Sequence, residues 1–125
     1  MQPLEGKTIL IVDDSQTIRA AADSLLSGLG AHTEMAGDGY EALAKIQQCR
    51  PDMVLMDVMM PRLDGYQTCA LIRSSPEFNA LPVVMLSSKD SLQDKVRGKV
   101  AGSNEYLVKP LDPALLIEAV LRHTR

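Results

Sequence analysis

Met53-Val54-Leu55-Met56-Asp57-Val58-Met59-Met60-Pro61-Arg62-Leu63-Asp64-Gly65 is the stretch that decides the fold. Its first four residues are apolar without alternation, the pattern of a strand covered on both faces. The run ends on a carboxylate, and Pro61 and Asp64-Gly65 then turn the chain sharply. A carboxylate placed straight after a buried run is costly unless it is paired. Asp57 therefore either caps a turn or belongs to a polar site, and the stretch alone leaves both open.

Four more strands are predicted around it. Thr8-Ile9-Leu10-Ile11-Val12 is the first, ended by Asp13-Asp14-Ser15, and residues 1–6 before it read as a frayed lead-in. Helical spacing of Ile18, Ala21, Ala22, Leu25, Leu26 and Leu29 follows, up to Gly30. His32 to Ala36 is a more polar strand. Asp38-Gly39 opens a helix with Ala42, Leu43 and Ile46 on its apolar face, ended at Arg50-Pro51. After Gly65 comes a helix carrying Tyr66, Cys69 and Ile72, broken at Ser74-Ser75-Pro76. Pro82 to Ser87 is the fourth strand. Leu92, Val96 and Val100 share one face of the next helix, which contains Gly98 at a cost of about 1 kcal/mol relative to Ala. Glu105 to Lys109 is the fifth strand, and Asp112-Pro113 starts a last helix with Leu115, Leu116, Ala119 and Val120 inward.

Strict alternation of strand and helix predicts an α/β fold: a doubly wound, five-stranded parallel sheet with five helices. Strands one, three and four are apolar throughout and belong in the middle, whereas two and five carry polar residues and suit the edges. With right-handed crossovers the order 2-1-3-4-5 fits best.

The 125 residues read as one domain spanning residues 1–125. A net charge of −3 gives no support for nucleic-acid binding. No apolar run reaches the ~18 residues of a membrane span and no leader pattern precedes the first strand, so a cytoplasmic protein is expected. Cys49 and Cys69 sit in helical patterns and are expected to be free thiols. His32 and His123 lack ligand-spaced partners and read as ordinary surface or core-edge residues.

In a parallel sheet, the strand ends of one polarity share an edge, and ligands bind there where the order reverses. Asp13 and Asp14, Asp57, Ser87 and Lys109 all fall on that edge. Adjacent strands lie about 4.8 Å apart, which puts the acidic pair on one side of Asp57 and Ser87 on the other. Lys109 is two strands away, within reach of its long side chain. Each has a simpler reading: Asp13 or Asp14 can cap the first helix, Ser87 and Ser88 can begin a loop, and Lys109 can be solvated. Three converging carboxylates need a proton or a cation to offset them. An all-oxygen set with few protein ligands favours Mg²⁺, and the lack of Cys and His disfavours Zn²⁺. A carboxylate beside Mg²⁺ and a lysine, with a hydroxyl opposite, suits acceptance of a phosphoryl group as an aspartyl phosphate.

Taken together, Asp13-Asp14-Ser15, Asp57 before Met59-Met60-Pro61 and Asp64-Gly65, Ser87-Ser88, and Tyr106 before Lys109-Pro110 resemble the receiver domains of two-component response regulators, from about Thr8 onward. With no output-domain pattern read beside the receiver motifs, a stand-alone receiver of the chemotaxis type is expected. The runs Met60 to Ile72 and Met85 to Asp90 are similar to the regulators of twitching motility by type IV pili. The resemblance implies that Asp57 is the phosphoacceptor, and that Asp14 and the Met59 backbone carbonyl bind Mg²⁺ directly, with Asp13 helping through water. It implies that Ser87 bonds the phosphoryl group, that Lys109 neutralises it next to a cis Lys109-Pro110 bond, and that Tyr106 is an aromatic switch. Implied partners are a histidine kinase of chemosensory type and a downstream motor or pilus protein, met by a monomer or weak dimer. Leu111 departs from the usual Phe after Lys-Pro, and Met59 and Lys89 occupy positions that tune phosphate lifetime across the family.

A phosphoryl group adds roughly −1.5 to −2 charge and three acceptor oxygens. Ser87 and Lys109 both gain by approaching it, so the helix from Ser91 to Ala101, strand five with Tyr106, and the last helix are the expected output face, and Gly98 makes that helix easier to remodel. A non-enzymatic binding module is thus expected. Alternatives are an Mg²⁺-dependent phosphohydrolase, which needs a general acid where Met59 stands, and a receiver-like module that takes no phosphate.

Overall fold

The computed structural model describes residues 2–124. Its elements alternate as β1 (Thr8–Val12), α1 (Gln16–Ser27), β2 (His32–Ala36), α2 (Gly39–Cys49), β3 (Met53–Asp57), α3 (Gly65–Ser74), β4 (Val83–Ser87), α4 (Leu92–Ala101), β5 (Glu105–Val108) and α5 (Pro113–His123). All strand pairs are parallel, in the order β2-β1-β3-β4-β5 predicted from strand polarity.

The apolar runs are continuous because successive side chains enter two different cores. Leu10, Val12, Val54, Met56, Val83 and Met85 pack toward Ala42, Ile46, Tyr66, Cys69 and Ile72 of α2 and α3. Ile9, Ile11, Met53, Leu55, Val84 and Leu86 pack toward Ala22 and Leu26 of α1 and Leu116 and Val120 of α5. Every helix starts on a side-chain oxygen that accepts a backbone N–H: Ser15, Asp38, Asp64, Ser91 and Asp112. Each such cap contributes about 1 kcal/mol. Asp64 and Gln67 close a reciprocal capping box, which fixes where α3 begins after the Asp57 loop.

Residues 2–6 are not frayed: Leu4 is fully buried, and its N–H donates to the Leu29 carbonyl at 2.9 Å. Met1 lies outside the described residues. Leu115, expected inward, is exposed, because α5 turns Leu116, Ala119 and Val120 to the sheet instead. Ala21 is exposed, and Pro82 and Lys109 fall just outside their strands. Leu92, Val96 and Val100, which share one face of α4, are turned to solvent, at 77, 50 and 83% exposed. α4 instead presents Gly98 to the sheet, where a Cβ would lie 2.8 Å from Tyr106 Cδ2. Gly98 is therefore a seat for an aromatic ring.

Gly65 is the tightest backbone contact around the Asp57 loop. A Cβ there would lie 2.3 Å from the Asp57 carbonyl oxygen and 2.8 Å from Val58 Cα, both backbone atoms that cannot swing away. Gly65→Ala is expected to cost about 3 kcal/mol in urea unfolding. Gly37→Ala, whose Cβ would meet only the Arg19 guanidinium at 3.7 Å, is expected to stay within about 0.5 kcal/mol of the parent.

Candidate functional site

Four strand ends meet at the C-terminal edge of the sheet. Asp13 follows β1; its N–H donates to the Ala36 carbonyl at 3.1 Å, and its Oδ1 accepts the Ser15 N–H at 2.9 Å. Asp57 closes β3 opposite Leu86, so Ser87 lies one position further along the neighbouring strand. The Lys109 N–H donates to the Ser87 carbonyl at 2.7 Å, which docks the end of β5 onto β4.

From there the Lys109 ammonium crosses the edge and donates to Asp13 Oδ2 at 2.9 Å and Asp57 Oδ1 at 3.1 Å. Asp13 and Asp57 are both buried. Asp14 stands exposed at the rim, and one carboxylate oxygen from each of the three aspartates lies within 4.8 Å of the others. Ser15 is the cap of α1, so the capping explanation for Asp13 or Asp14 falls away. Ser87 is fully buried; its hydroxyl accepts the Lys89 N–H at 3.0 Å, which leaves its own proton for another acceptor. Met59 is exposed beside Asp57, and the Lys109–Pro110 peptide bond is cis. Tyr106 is half-buried with its hydroxyl on the Lys89 carbonyl at 2.9 Å.

The edge is short of positive charge. Burial pushes the Asp57 carboxyl up to about 6, the Asp13 charge adds to that, and the Lys109 ammonium and the Met59 N–H pull it back only in part. Burial also pulls the Lys109 ammonium down, but hydrogen bonds and charge from Asp13 and Asp57 outweigh it and leave Lys109 above its usual range. One ammonium thus faces three carboxylates. The donor set is hard, anionic oxygen throughout, which fits Mg²⁺.

The raised Asp57 value sets a pH dependence in metal-free protein. Between pH 3.8 and about 6 the unfolded chain has released this proton while the folded chain keeps it. The folded state then binds more protons, so this carboxyl makes stability fall as pH rises through that window and level off above it. A gap of about two units amounts to about 3 kcal/mol. Thermal melts of the parent and Asp57→Asn across this range should diverge by roughly that amount, with the slope missing in the variant.

Some contacts were not legible in the sequence. Arg73 donates to the carbonyls of Gly102 at 2.8 Å and Leu81 at 2.6 Å and to Asn104 Oδ1 at 2.9 Å, tying α3 to the loops flanking β4 and α4. Tyr66, read as an apolar helix residue, places its hydroxyl 3.2 Å from that of Tyr106. Nothing in the spacing marks either, since the partners are distant in sequence.

Comparison with known proteins agrees with this geometry. Residues 9–121 match the family described as the response regulator receiver domain. Protein PilG of Pseudomonas aeruginosa is 48% identical over 122 residues, covering 98% of this chain and 90% of PilG. Other response regulators at about 42% identity are longer, and the chain spans about half their length. A putative response regulator from Chloroflexus aurantiacus superposes with a TM-score of 0.91 at 36% identity, covering 94% of this chain and 97% of that one. The receiver domain of the sensor histidine kinase PA1611 from Pseudomonas aeruginosa, which has a magnesium ion coordinated in its active-site cleft, superposes with a TM-score of 0.87 at 30% identity over 95% of this chain and 98% of that one.

Proposed function

The chain belongs to the response regulator receiver domain family, and from that premise we propose that it accepts a phosphoryl group from a histidine kinase on Asp57 and changes its partner binding in response. The observation that carries this is the Lys109 ammonium bridging Asp13 and Asp57 at the edge where three carboxylates meet.

In the transfer, an Asp57 carboxylate oxygen attacks phosphorus. The bond from phosphorus to the kinase imidazole nitrogen breaks, its electron pair stays on that nitrogen, and an acyl phosphate remains on Asp57. Lys109 already lies within hydrogen-bond distance of Asp57, so it can neutralise the new charge without a long search. The Ser87 hydroxyl donates its unused proton to a phosphoryl oxygen. Asp14, Asp57 and the Met59 carbonyl would hold Mg²⁺ directly; both Asp13 oxygens are engaged, by Ser15 and Lys109, which favours a role through water. An Mg²⁺ ion held there would supply positive charge to the transferring group.

The output face we assign is α4, β5 and α5, where Leu92, Val96, Val100, Val108 and Leu115 are exposed. Similarity to PilG, together with the run from Met60 to Ile72, supports a chemosensory pathway that controls pilus twitching or chemotaxis. Among the described residues no helix is long and apolar enough to cross a membrane.

A chemosensory histidine kinase carrying a labelled phosphoryl group tests the reading. Stoichiometric movement of the label to this chain is expected, with retention of a motor or pilus component on beryllofluoride-treated protein alone. Repeated release of inorganic phosphate from a phosphomonoester would instead mark a hydrolase with an aspartate nucleophile.

A further inference from the structure

Three hydroxyl contacts join α3, α4 and β5. The Tyr106 hydroxyl lies 2.9 Å from the Lys89 carbonyl, the Tyr66 hydroxyl lies 3.0 Å from the Asp94 carbonyl, and the two hydroxyls lie 3.2 Å apart. Each phenol has one proton. Two protons cannot fill three contacts when both outer acceptors are carbonyls. If both hydroxyls point outward, two oxygens face each other with no proton between them. If Tyr66 turns to Tyr106, Asp94 loses its donor from Tyr66; if Tyr106 turns to Tyr66, Lys89 loses its donor from Tyr106. The arrangement has discrete alternatives that differ only in the direction of two O–H bonds.

Both sides of this set connect to the site at the strand ends. The Lys89 N–H donates to Ser87 Oγ at 3.0 Å, so a displacement of Ser87 is felt at Lys89. Tyr66 follows Gly65, whose N–H donates to the Val58 carbonyl at 2.9 Å and where an added Cβ would lie 2.3 Å from the Asp57 carbonyl oxygen. The Tyr66 ring lies under the Arg97 guanidinium of α4 at 4.4 Å, and the Tyr106 ring fills the space left by Gly98 of the same helix. The pair thus sits between the site and the exposed face of α4, held on both sides.

We propose that Tyr66 is a positioning residue for the switch: it offers the Tyr106 hydroxyl a second acceptor, so that Tyr106 keeps its inward place under α4 when Lys89 moves with Ser87. No bond to oxygen breaks; only the O–H directions rotate. The proposal rests on the reading of Tyr106 as the switch residue and adds a second tyrosine to it. Contiguous hydrogen bonds with two discrete settings are the physical requirement for such coupling.

The chain has three tyrosines, Tyr40, Tyr66 and Tyr106, so protein labelled with carbon-13 at tyrosine Cζ gives three resonances, assigned by single Tyr→Phe variants. In the parent, beryllofluoride with Mg²⁺ is expected to move the Tyr66 and Tyr106 signals together and leave Tyr40 unchanged. In Tyr66→Phe, which keeps the ring under Arg97, the Tyr106 signal is expected to shift and broaden before any phosphate mimic is added, and its response to the mimic to fall by at least half. Tyr106→Phe should displace the Tyr66 signal in the reciprocal way, and Tyr40→Phe should displace neither. A Tyr106 signal that responds to the mimic equally in the parent and in Tyr66→Phe overturns the role of Tyr66 alone. A Tyr106 signal that ignores the mimic in the parent overturns the switch reading and this inference together.

Discussion

Lys109→Met is expected to slow phosphoryl acceptance at Asp57 by about 10²- to 10³-fold, the range for losing one preorganised charge donor at a reacting oxyanion. It is also expected to destabilise the metal-free protein near neutral pH by about 3 kcal/mol. Methionine keeps the length and most of the volume of the lysine stem, so the loss reads out charge and hydrogen bonds more than packing. Those bonds are the ones from Nζ to Asp13 Oδ2 and Asp57 Oδ1, and both carboxylates are buried. Removing one partner of a buried ion pair typically costs about 3–5 kcal/mol because the remaining charge is stranded. The lower end applies here because Asp57 is already pushed up to about 6 and can escape by taking a proton. The same variant should therefore lose less at pH 5 than at pH 7. Denaturant unfolding at the two pH values, with single-turnover labelling, checks both halves. An equal loss at both would mean that packing of the lysine stem dominates.

Asp57→Asn makes the opposite combination: no aspartyl phosphate, yet a more stable metal-free fold. Asparagine is close in shape to aspartate but cannot form an acyl phosphate. At pH 7 the parent bears an ionised, buried Asp57 next to Asp13, a net penalty despite Lys109, as its raised value shows. Neutralising it should raise stability by about 2 kcal/mol, somewhat less than the full ionisation gap because the amide accepts a weaker bond from Lys109. Mg²⁺ affinity should fall at least tenfold in the same variant, since one of three clustered carboxylates is gone. Unfolding without metal and calorimetric titration with Mg²⁺ separate the two effects. A variant less stable than the parent in the absence of metal would mean that Lys109 offsets the burial of Asp57 fully.

The strand order was legible because burial acts on whole strands. Met53 to Met56 must be apolar on both faces when helices cover both sides, and the polar residues of His32-Thr33-Glu34 survive because β2 has one neighbour. The convergence of Asp13, Asp14, Asp57 and Lys109 was legible for a related reason: charged residues directly after such runs share one edge of the sheet. What escaped was set by tertiary fit. Leu4 looks like any leucine near a terminus until its full burial and the hydrogen bond to Leu29 show that it is docked. The apolar stripe of Leu92, Val96 and Val100 has helical spacing, but periodicity does not say whether a face meets the core or a partner. Gly98 reads as a weak point in a helix until Tyr106 is seen beneath it, and Tyr66 reads as an apolar filler until its hydroxyl is placed.

Phosphopeptide mapping after incubation with Mg²⁺ and a small acyl-phosphate donor reads out whether acids from two neighbouring strands make Asp57 the phosphoacceptor. The expected result is one hydrolytically labile phosphoryl group per chain, on the peptide that carries Asp57, and none when Mg²⁺ is chelated. Label on any other residue, or no label while Mg²⁺ is bound, contradicts it.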